Sequence, residues 1–275
     1  MLVGTPIGNL GDLSPRAVDI LSRADVIACE DTRRTRQLLA HAGIATAGRL
    51  RAVHEHNEAR EAGRIVDEVR AGKLVAYATD AGMPGVSDPG AVIVRACREA
   101  GLPVEVVPGP SATLAALALS GFDADRFVFE GFLPRKGQQR SERLGAIATE
   151  ARTVVLFEAP ARVAATLADL ARSCGGDRPV CVARELTKRF EETWWGELAG
   201  AAELARTGEP RGEHVIVVAG RVGVAPEMSA DSLEAAVRGA LGRGLSARDA
   251  AAEVAALHDV PKRRAYELAV NLRKR

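Results

Sequence analysis

Short apolar segments alternate with amphipathic helical patterns over the first 120 residues of this 275-residue chain. The apolar segments match buried strands and lie at residues 2–3, 26–29, 52–54, 74–78 and 104–107. Parallel strands need a crossover connection, which a helix between them supplies. The alternation therefore predicts an α/β domain with a parallel sheet over residues 1–120, and Thr32 is the predicted N-cap of the helix after the second strand.

The alternation loosens after residue 120, where we place a domain boundary. Further strand-like segments lie at residues 127–129, 153–157, 179–183, 192–197 and 214–219. Several of them have little helix between them, which predicts a second α/β domain with a mixed sheet over residues 121–222. Residues 228–275 show three helical patterns and no strand signal, which predicts a small helical domain with helix-turn-helix proportions.

The formal net charge is only +1, because 37 Lys and Arg side chains oppose 36 Asp and Glu side chains. Any nucleic-acid surface must therefore be a local patch. The four cysteines lack C-x-x-C spacing, which argues against a zinc or redox site and against a disulfide scaffold. Reduced thiols, with neither a signal-peptide pattern nor a long apolar stretch, lead us to expect a cytoplasmic protein without a membrane partner.

Three loops rich in glycine and proline follow predicted strands, at residues 5–12, 79–90 and 108–112. Loops at the carboxyl ends of parallel strands line the ligand crevice of an open sheet, although any one of them could simply be a tight turn. No phosphate-binding G-x-x-x-x-G-K-[ST] motif is present. Asp80 and Asp88 in the second loop suit hydroxyls, amines or a cation better than phosphate, so a nucleoside carrying an amine and a sulfonium fits.

Eight motifs carry a specific resemblance between this chain and a known family. They are, in order, TPIGNLGDLSPRA, EDTRRT, HEHNE, TDAGMPGVSDPG, PGPSA, EGFLPRKG, FEAPAR and ARELTK. With them the chain resembles the ribosomal RNA small-subunit methyltransferase I family of the tetrapyrrole-methylase-like superfamily. Two positions depart from the family pattern: Met83 replaces a small hydroxyl residue, and His214 stands where an apolar residue is common.

The resemblance implies two α/β domains with S-adenosylmethionine bound in the cleft between them, and it implies a homodimer. The implied reaction is 2′-O-methylation of a cytidine in the decoding region of 16S rRNA, within the 30S subunit. A methylase of tetrapyrroles or other small molecules is an alternative that the fold alone allows. A non-catalytic RNA-binding or ribosome-assembly module is a second alternative, with the helical tail as its active part.

The donor-binding residues are predicted from their positions in the three loops. Ser111 could instead serve as a helix N-cap, or its hydroxyl could cap while its backbone N–H meets the ligand. The predicted donor residues are Pro6, Asp80, Gly82, Met83, Val86, Ser111 and Ala112.

A ribose hydroxyl is a weak acid, so the implied reaction calls for a positioned base. We rank His56 first, then Asp31 and Glu158. His56 is expected to share a strand face with His54, Asp31 could merely stabilise a helix dipole, and Glu158 could belong to an internal ion-pair network with Arg162. A metal is not expected, because methyl transfer needs none.

Clusters of cations mark the expected RNA contacts. Arginines in the first turn of a helix oppose the helix dipole, which suggests a use other than helix stability. Residues 262–275 hold six cations and one carboxylate, which suits RNA docking, although a frayed cationic end is the plain alternative. The predicted RNA-binding residues are Arg33, Arg36, Arg135, Lys136, Lys188, Lys262, Arg263 and Arg264.

Overall fold

The computed structural model describes residues 1–54, 56–208, 211–221, 230–258 and 260–273. The chain divides into two compact units, residues 1–221 and 222–275. The strands are β1 (Leu2–Val3), β2 (Val26–Cys29), β3 (Leu50–Ala52), β4 (Val75–Ala78), β5 (Val106–Val107), β6 (Phe127–Phe132), β7 (Thr153–Glu158), β8 (Pro179–Arg184), β9 (Glu192–Glu197) and β10 (His214–Val218). The helices are α1 (Pro15–Arg23), α2 (Thr32–His41), α3 (Glu58–Arg70), α4 (Ala91–Glu99), α5 (Ala112–Ser120), α6 (Gln138–Thr149), α7 (Pro160–Cys174), α8 (Leu198–Thr207), α9 (Ala230–Gly242), α10 (Ala247–His258) and α11 (Lys262–Arg273), with a 3₁₀ turn at Leu10–Asp12.

The first sheet has the strand order β3-β2-β4-β1-β5, and every pairing in it is parallel. This confirms the parallel sheet predicted from the strand–helix alternation. The central strands β2 and β4 are buried along their whole length, because helices cover the sheet. The third strand was predicted wrongly: it covers Leu50–Ala52, and residues 54, 56 and 57 lie beyond it, before α3.

The second sheet has the order β6-β7-β10-β8-β9, with β6 and β7 parallel and the other pairs antiparallel. The predicted mixed sheet is therefore confirmed. Side chains alternate along β10: Val215 and Val217 pack with α5, whereas Ile216 and Val218 join a core that includes α7 and α8. The second sheet is thus covered by helices on both faces.

The second unit consists of α9, α10 and α11 around its own core of small and branched apolar side chains, including Leu233, Val237, Ala250 and Val254. The three predicted helical patterns are confirmed. The predicted domain limits at residues 222 and 228 lie outside the described residues, as do Lys274 and Arg275, and the limit at residue 120 stays a prediction. Among the described helices, none has the length and apolarity to cross a membrane.

Candidate active site

A cavity of about 420 Å³ lies between the two halves of the first unit. We call it the large cavity. Loop residues 81–83, 86–88 and 111–113 form one wall, and residues 157–160, Leu186 and 213–215 form another. The predicted cleft therefore exists. Five of the predicted donor residues line it: Gly82, Met83, Val86, Ser111 and Ala112.

A second cavity of about 240 Å³ adjoins the first, and we call it the side cavity. The two cavities share four lining residues, which are Ile7, Ala81, Lys188 and Glu213. Pro6 and Asp80, which were predicted to belong with the donor residues, line the side cavity. The predicted donor set is thus divided between two neighbouring spaces.

Close backbone contacts hold the three loops together. A Cβ atom placed on Gly4 would lie 2.6 Å from the Gly109 Cα, so neither position has room for a side chain. Thr5 and Gly82 exchange backbone hydrogen bonds of 2.9 and 3.2 Å across the loops. The Met83 sulfur accepts a hydrogen bond from the Gly109 N–H at 3.3 Å, so this departure from the family pattern helps to join two loops.

Ser111 is the N-cap of α5, and its hydroxyl accepts the Leu114 N–H at 3.4 Å. It also lines the large cavity, so the capping role and a position at the site coexist. His214 lines the cavity as well. Burial lowers the pKa of His214, and the positive charge of Arg184 lowers it further. A hydrogen bond with the Gly212 carbonyl raises this pKa in part, but the pKa remains below its usual value.

Asp31, rather than Thr32 as predicted, is the N-cap of α2. Its carboxylate accepts the Arg33 N–H at 2.8 Å and pairs with the Arg33 guanidinium at 2.9 Å. These hydrogen bonds, from the side chain first and then the backbone, lower the pKa of Asp31 to about 2. A carboxylate with so low a proton affinity is a poor base, and Asp31 lines neither cavity; the structure favours the capping role for Asp31, and its catalytic role stays a prediction.

Glu158 has a fully buried side chain that three neighbours engage. Its carboxylate accepts the Ala159 N–H at 2.9 Å and the Thr166 hydroxyl at 2.6 Å, and it pairs with Arg162 at 3.1 Å. The network continues to Arg140, which donates to Thr166 at 3.0 Å. Glu158 lines the large cavity, but the structure favours the ion-pair network for it over the role of a base.

His56 lies in the turn between β3 and α3, not on a strand face, and it is exposed. Its ring centroid is 6.0 Å from that of His54. Asn57 shapes this turn, because its side chain accepts the His54 N–H at 2.8 Å and donates to the Ala52 carbonyl at 3.1 Å. His56 lines neither of the two cavities, and its role as a base stays a prediction.

Asp88 is the residue of this site that our ranking of bases omitted. It lines the large cavity and is half-buried. Burial, and after it the carboxylates of Glu30 and Asp80, raise the pKa of Asp88 to about 6, while a hydrogen bond with Thr79 lowers it in part. The signal in the sequence was the S-D-P-G segment at the end of the second loop, and only the fold brings Glu30 near it.

Lys188 lies in the wall that the two cavities share. Its ammonium group donates to Glu185 at 2.8 Å and to Glu213 at 3.0 Å. Burial lowers the pKa of Lys188, but the two carboxylates outweigh burial and raise it, so Lys188 is a cation. A Cβ atom on Gly8 would lie 2.4 Å from the Lys188 Cγ, so the first loop packs directly on this side chain.

The other predicted RNA-binding cations are exposed where the structure describes them. Arg33 is paired with Asp31, and Arg263 with Glu267 at 3.1 Å. Arg140, five residues after Arg135, is by contrast buried, with its guanidinium 2.7 Å from Asp169. Within the described residues, no cluster of His, Cys, Asp or Glu is arranged to hold a metal ion.

Comparison with known proteins agrees with this architecture. Residues 1–202 match the family model described as Tetrapyrrole (Corrin/Porphyrin) Methylases. Cobalt precorrin-4 methyltransferase CbiF superposes with a TM-score of 0.59 at 20% identity, covering 79% of this chain and 93% of its own. The uroporphyrin-III C-methyltransferase of Thermus thermophilus, complexed with S-adenosyl homocysteine, superposes with a TM-score of 0.56 at 23% identity, covering 79% and 95%. Fold and site thus define a methyltransferase of the tetrapyrrole methylase class.

Curated relatives identify the family within the tetrapyrrole methylase class. The Synechocystis protein named Ribosomal RNA small subunit methyltransferase I is 43% identical to this chain, over 98% of this chain and 97% of the relative. The Xylella fastidiosa protein of that name is 51% identical over 80% of each chain. The Escherichia coli O157:H7 protein is 40% identical over 98% and 93%. The chain belongs to the ribosomal RNA small subunit methyltransferase I family.

Proposed function

We propose that this protein transfers a methyl group from S-adenosylmethionine to the ribose 2′-oxygen of a cytidine in the decoding region of 16S rRNA, within the 30S subunit. The observation that carries the proposal is the large cavity, where the converging loops of the first sheet face the second sheet. The names of the relatives support rRNA as the methyl acceptor. The cytidine, its 2′-oxygen and the decoding region come from the family resemblance.

The residues of the large cavity fit S-adenosylmethionine. The volume of about 420 Å³ lies within the range of roughly 300–1,000 Å³ that is usual for small-molecule sites. Ile7, Phe157 and Leu186 provide apolar walls, and the Asp88 carboxylate offers a negative charge to a sulfonium. A structural neighbour that carries S-adenosyl homocysteine is consistent with this assignment.

The donor, when bound, supplies an already activated methyl group. The protein therefore has to position the donor and the ribose hydroxyl and to exclude water. Well-oriented reactants save about 7–11 kcal/mol of the barrier. The hydrogen bonds that tie Thr5 to Gly82 and Met83 to Gly109 hold the loops that orient the donor. Of the three predicted bases, Asp31 and Glu158 are occupied by other partners, so His56 stays as the proposed proton acceptor.

The proposal includes two copies of the chain acting together in the cytoplasm, as the resemblance implies. Light scattering on the purified protein should give twice the chain mass of 29.0 kDa. A mass of one chain at micromolar concentration would contradict the proposed homodimer.

The function is tested by methyl transfer from labelled S-adenosylmethionine to 30S subunits and to naked 16S rRNA. We expect label in the RNA, and nuclease digestion with mass spectrometry should place it on the 2′-oxygen of a cytidine. A methyl group on a base would contradict the 2′-O assignment. A tetrapyrrole acceptor is tested in parallel. If the protein binds the donor and methylates the tetrapyrrole but not RNA, it is a small-molecule methylase.

The charge of Asp88 should control donor affinity. With a pKa of about 6, Asp88 is ionised at pH 7 and mostly protonated at pH 5. If only the ionised form binds a sulfonium well, the dissociation constant for S-adenosylmethionine should rise about tenfold between these pH values. Isothermal titration calorimetry across this range measures the effect.

Two controls make this prediction specific. S-adenosylhomocysteine has a neutral sulfur, so its affinity should change much less with pH. Asp88→Asn should flatten the pH profile for the charged donor, whereas Asp12→Asn, at an exposed carboxylate of the first loop, should leave it unchanged. An unaltered profile in Asp88→Asn would remove Asp88 from the donor site.

A further inference from the structure

The side cavity has a wall made by one face of α2. Arg34, Thr35, Gln37 and Leu38 line it, and these positions follow the three- and four-residue spacing of a helix face. Residues 6–8 and Leu10 of the first loop also line it. The cavity therefore combines a cation and an amide with apolar surface, directly beside the large cavity.

Two polar groups of this wall remain available to a ligand. Gln37 is exposed, and its side chain has no hydrogen-bond partner among the described residues. Arg34 has 65% of its side chain exposed, and its guanidinium lies 3.5 Å from the Asp80 carboxylate, a long contact for an ion pair. A phosphate oxygen could replace that contact at little cost, because an exposed pair of this kind contributes little stability.

The shape of the cavity limits what can enter. A base-paired RNA helix presents a wide and shallow minor groove, whereas a recess of about 240 Å³ takes a single unstacked residue. A nucleotide offers a phosphate for Arg34, hydrogen-bonding edges for Gln37 and an apolar base face for Leu10 and Leu38. Its ribose can then lie near the shared wall at Ala81, facing the large cavity.

We propose that the side cavity binds the single nucleotide of the RNA strand that accepts the methyl group, turned out of its stack. The inference rests on the proposed function, and it assigns the acceptor subsite to the face of α2 that carries Arg34 and Gln37. Asp80 then has a structural role at this subsite: its carboxylate accepts the Asp31 N–H at 3.0 Å and so fixes the start of α2.

A bulky side chain in the wall tests this subsite. Gln37→Trp should lower kcat/KM for methylation of 30S subunits at least tenfold, mainly by raising the KM for RNA. The affinity for S-adenosylmethionine should stay within twofold. His41→Trp is the matched control, because His41 is exposed one turn further along α2 and lies outside the cavity lining. Its kcat/KM should stay within twofold of the unchanged protein.

Two outcomes of these measurements overturn the proposal. Equal kinetics in Gln37→Trp and His41→Trp would show that no nucleotide enters the side cavity, while the methyl transfer of the unchanged protein would still support the proposed function. A tenfold loss of donor affinity in Gln37→Trp would assign the side cavity to the donor instead.

A second readout does not depend on turnover. Naked 16S rRNA is cross-linked to the full-length protein by ultraviolet light in the presence of S-adenosylhomocysteine, and nucleotide adducts are mapped by mass spectrometry. Adducts are expected on residues 6–10 or 34–38 and should diminish in Gln37→Trp. Adducts confined to other segments would overturn the subsite even if the protein methylates RNA.

Discussion

A chain that ends at Arg221 should keep its affinity for S-adenosylmethionine and lose about 100-fold in affinity for 16S rRNA. The residues that line both cavities belong to the first unit, whereas α9 to α11 form a unit with a core of their own. Lys262, Arg263 and Arg264 are exposed in the first turn of α11, where positive charge opposes the helix dipole. Such an arrangement is typical of cations kept for phosphate binding.

The salt dependence identifies the cause of this loss. Each lost phosphate contact should lower the slope of log affinity against log salt by about one. Arg263 is paired with Glu267, so the test replaces Lys262 and Arg264 by Gln in the full-length chain, and the slope should fall by about two. The matched control replaces Arg238 and Arg243 by Gln; these arginines are paired with Glu234 and Glu253, so the slope should change less.

Two results would contradict the assignment of donor binding to the first unit and RNA binding to the second. A folded chain ending at Arg221 that no longer binds the donor would show that the second unit contributes to donor binding. Full methylation of 30S subunits by the shortened chain would show that the cations of α11 are only a solvated surface. Circular dichroism and thermal unfolding of the shortened chain establish that it is folded.

Arg140→Met should lower the free energy of unfolding by about 3 kcal/mol, because it removes the buried partner of Asp169 and leaves that carboxylate only the exposed Arg172. The Arg140 guanidinium donates to Asp169 at 2.7 and 2.9 Å, to Thr166 at 3.0 Å and to the Pro134 carbonyl at 3.0 Å. Methionine fills much of the same space but makes none of these hydrogen bonds. Urea denaturation followed by circular dichroism measures the loss.

Arg135→Met is the control, since Arg135 is exposed on the same segment and has no ion-pair partner among the described residues. Its free energy of unfolding should change by less than about 0.5 kcal/mol. Because Thr166 connects Arg140 to Glu158 in the wall of the large cavity, Arg140→Met should also weaken donor binding. A stability equal to that of Arg135→Met would show that the buried network contributes nothing.

Strands and helices were predictable because local patterns dictate them. The apolar segments of β2 and β4 bury their whole length, and the helices between successive strands supply the crossovers that parallel strands need. The prediction failed at β3, since the sequence around residues 52–54 is apolar enough for a strand but Asn57 forms a turn there. A side-chain hydrogen bond to the backbone outweighed strand propensity at this position.

The functional motifs were also visible in the sequence, but the distribution of their residues between two cavities was not. Gly82, Met83, Val86, Ser111 and Ala112 share one cavity, while Pro6 and Asp80 face another. Loop order along the chain indicates which end of a sheet a residue occupies. It does not indicate which side chains face the same space, because that depends on how two sheets pack together.

The sequence by itself determined the α/β class, the helical second unit, the three loops of the site and the family. Only the tertiary structure decided the chemical state of the carboxylates. Asp31 is ionised as an N-cap, Glu158 is paired within its network, and Asp88 has a raised pKa beside Glu30. Hydrophobic periodicity is a local property, whereas the pKa of Asp88 depends on burial and on a charge brought near by a distant segment, that of Glu30, 58 residues earlier in the chain.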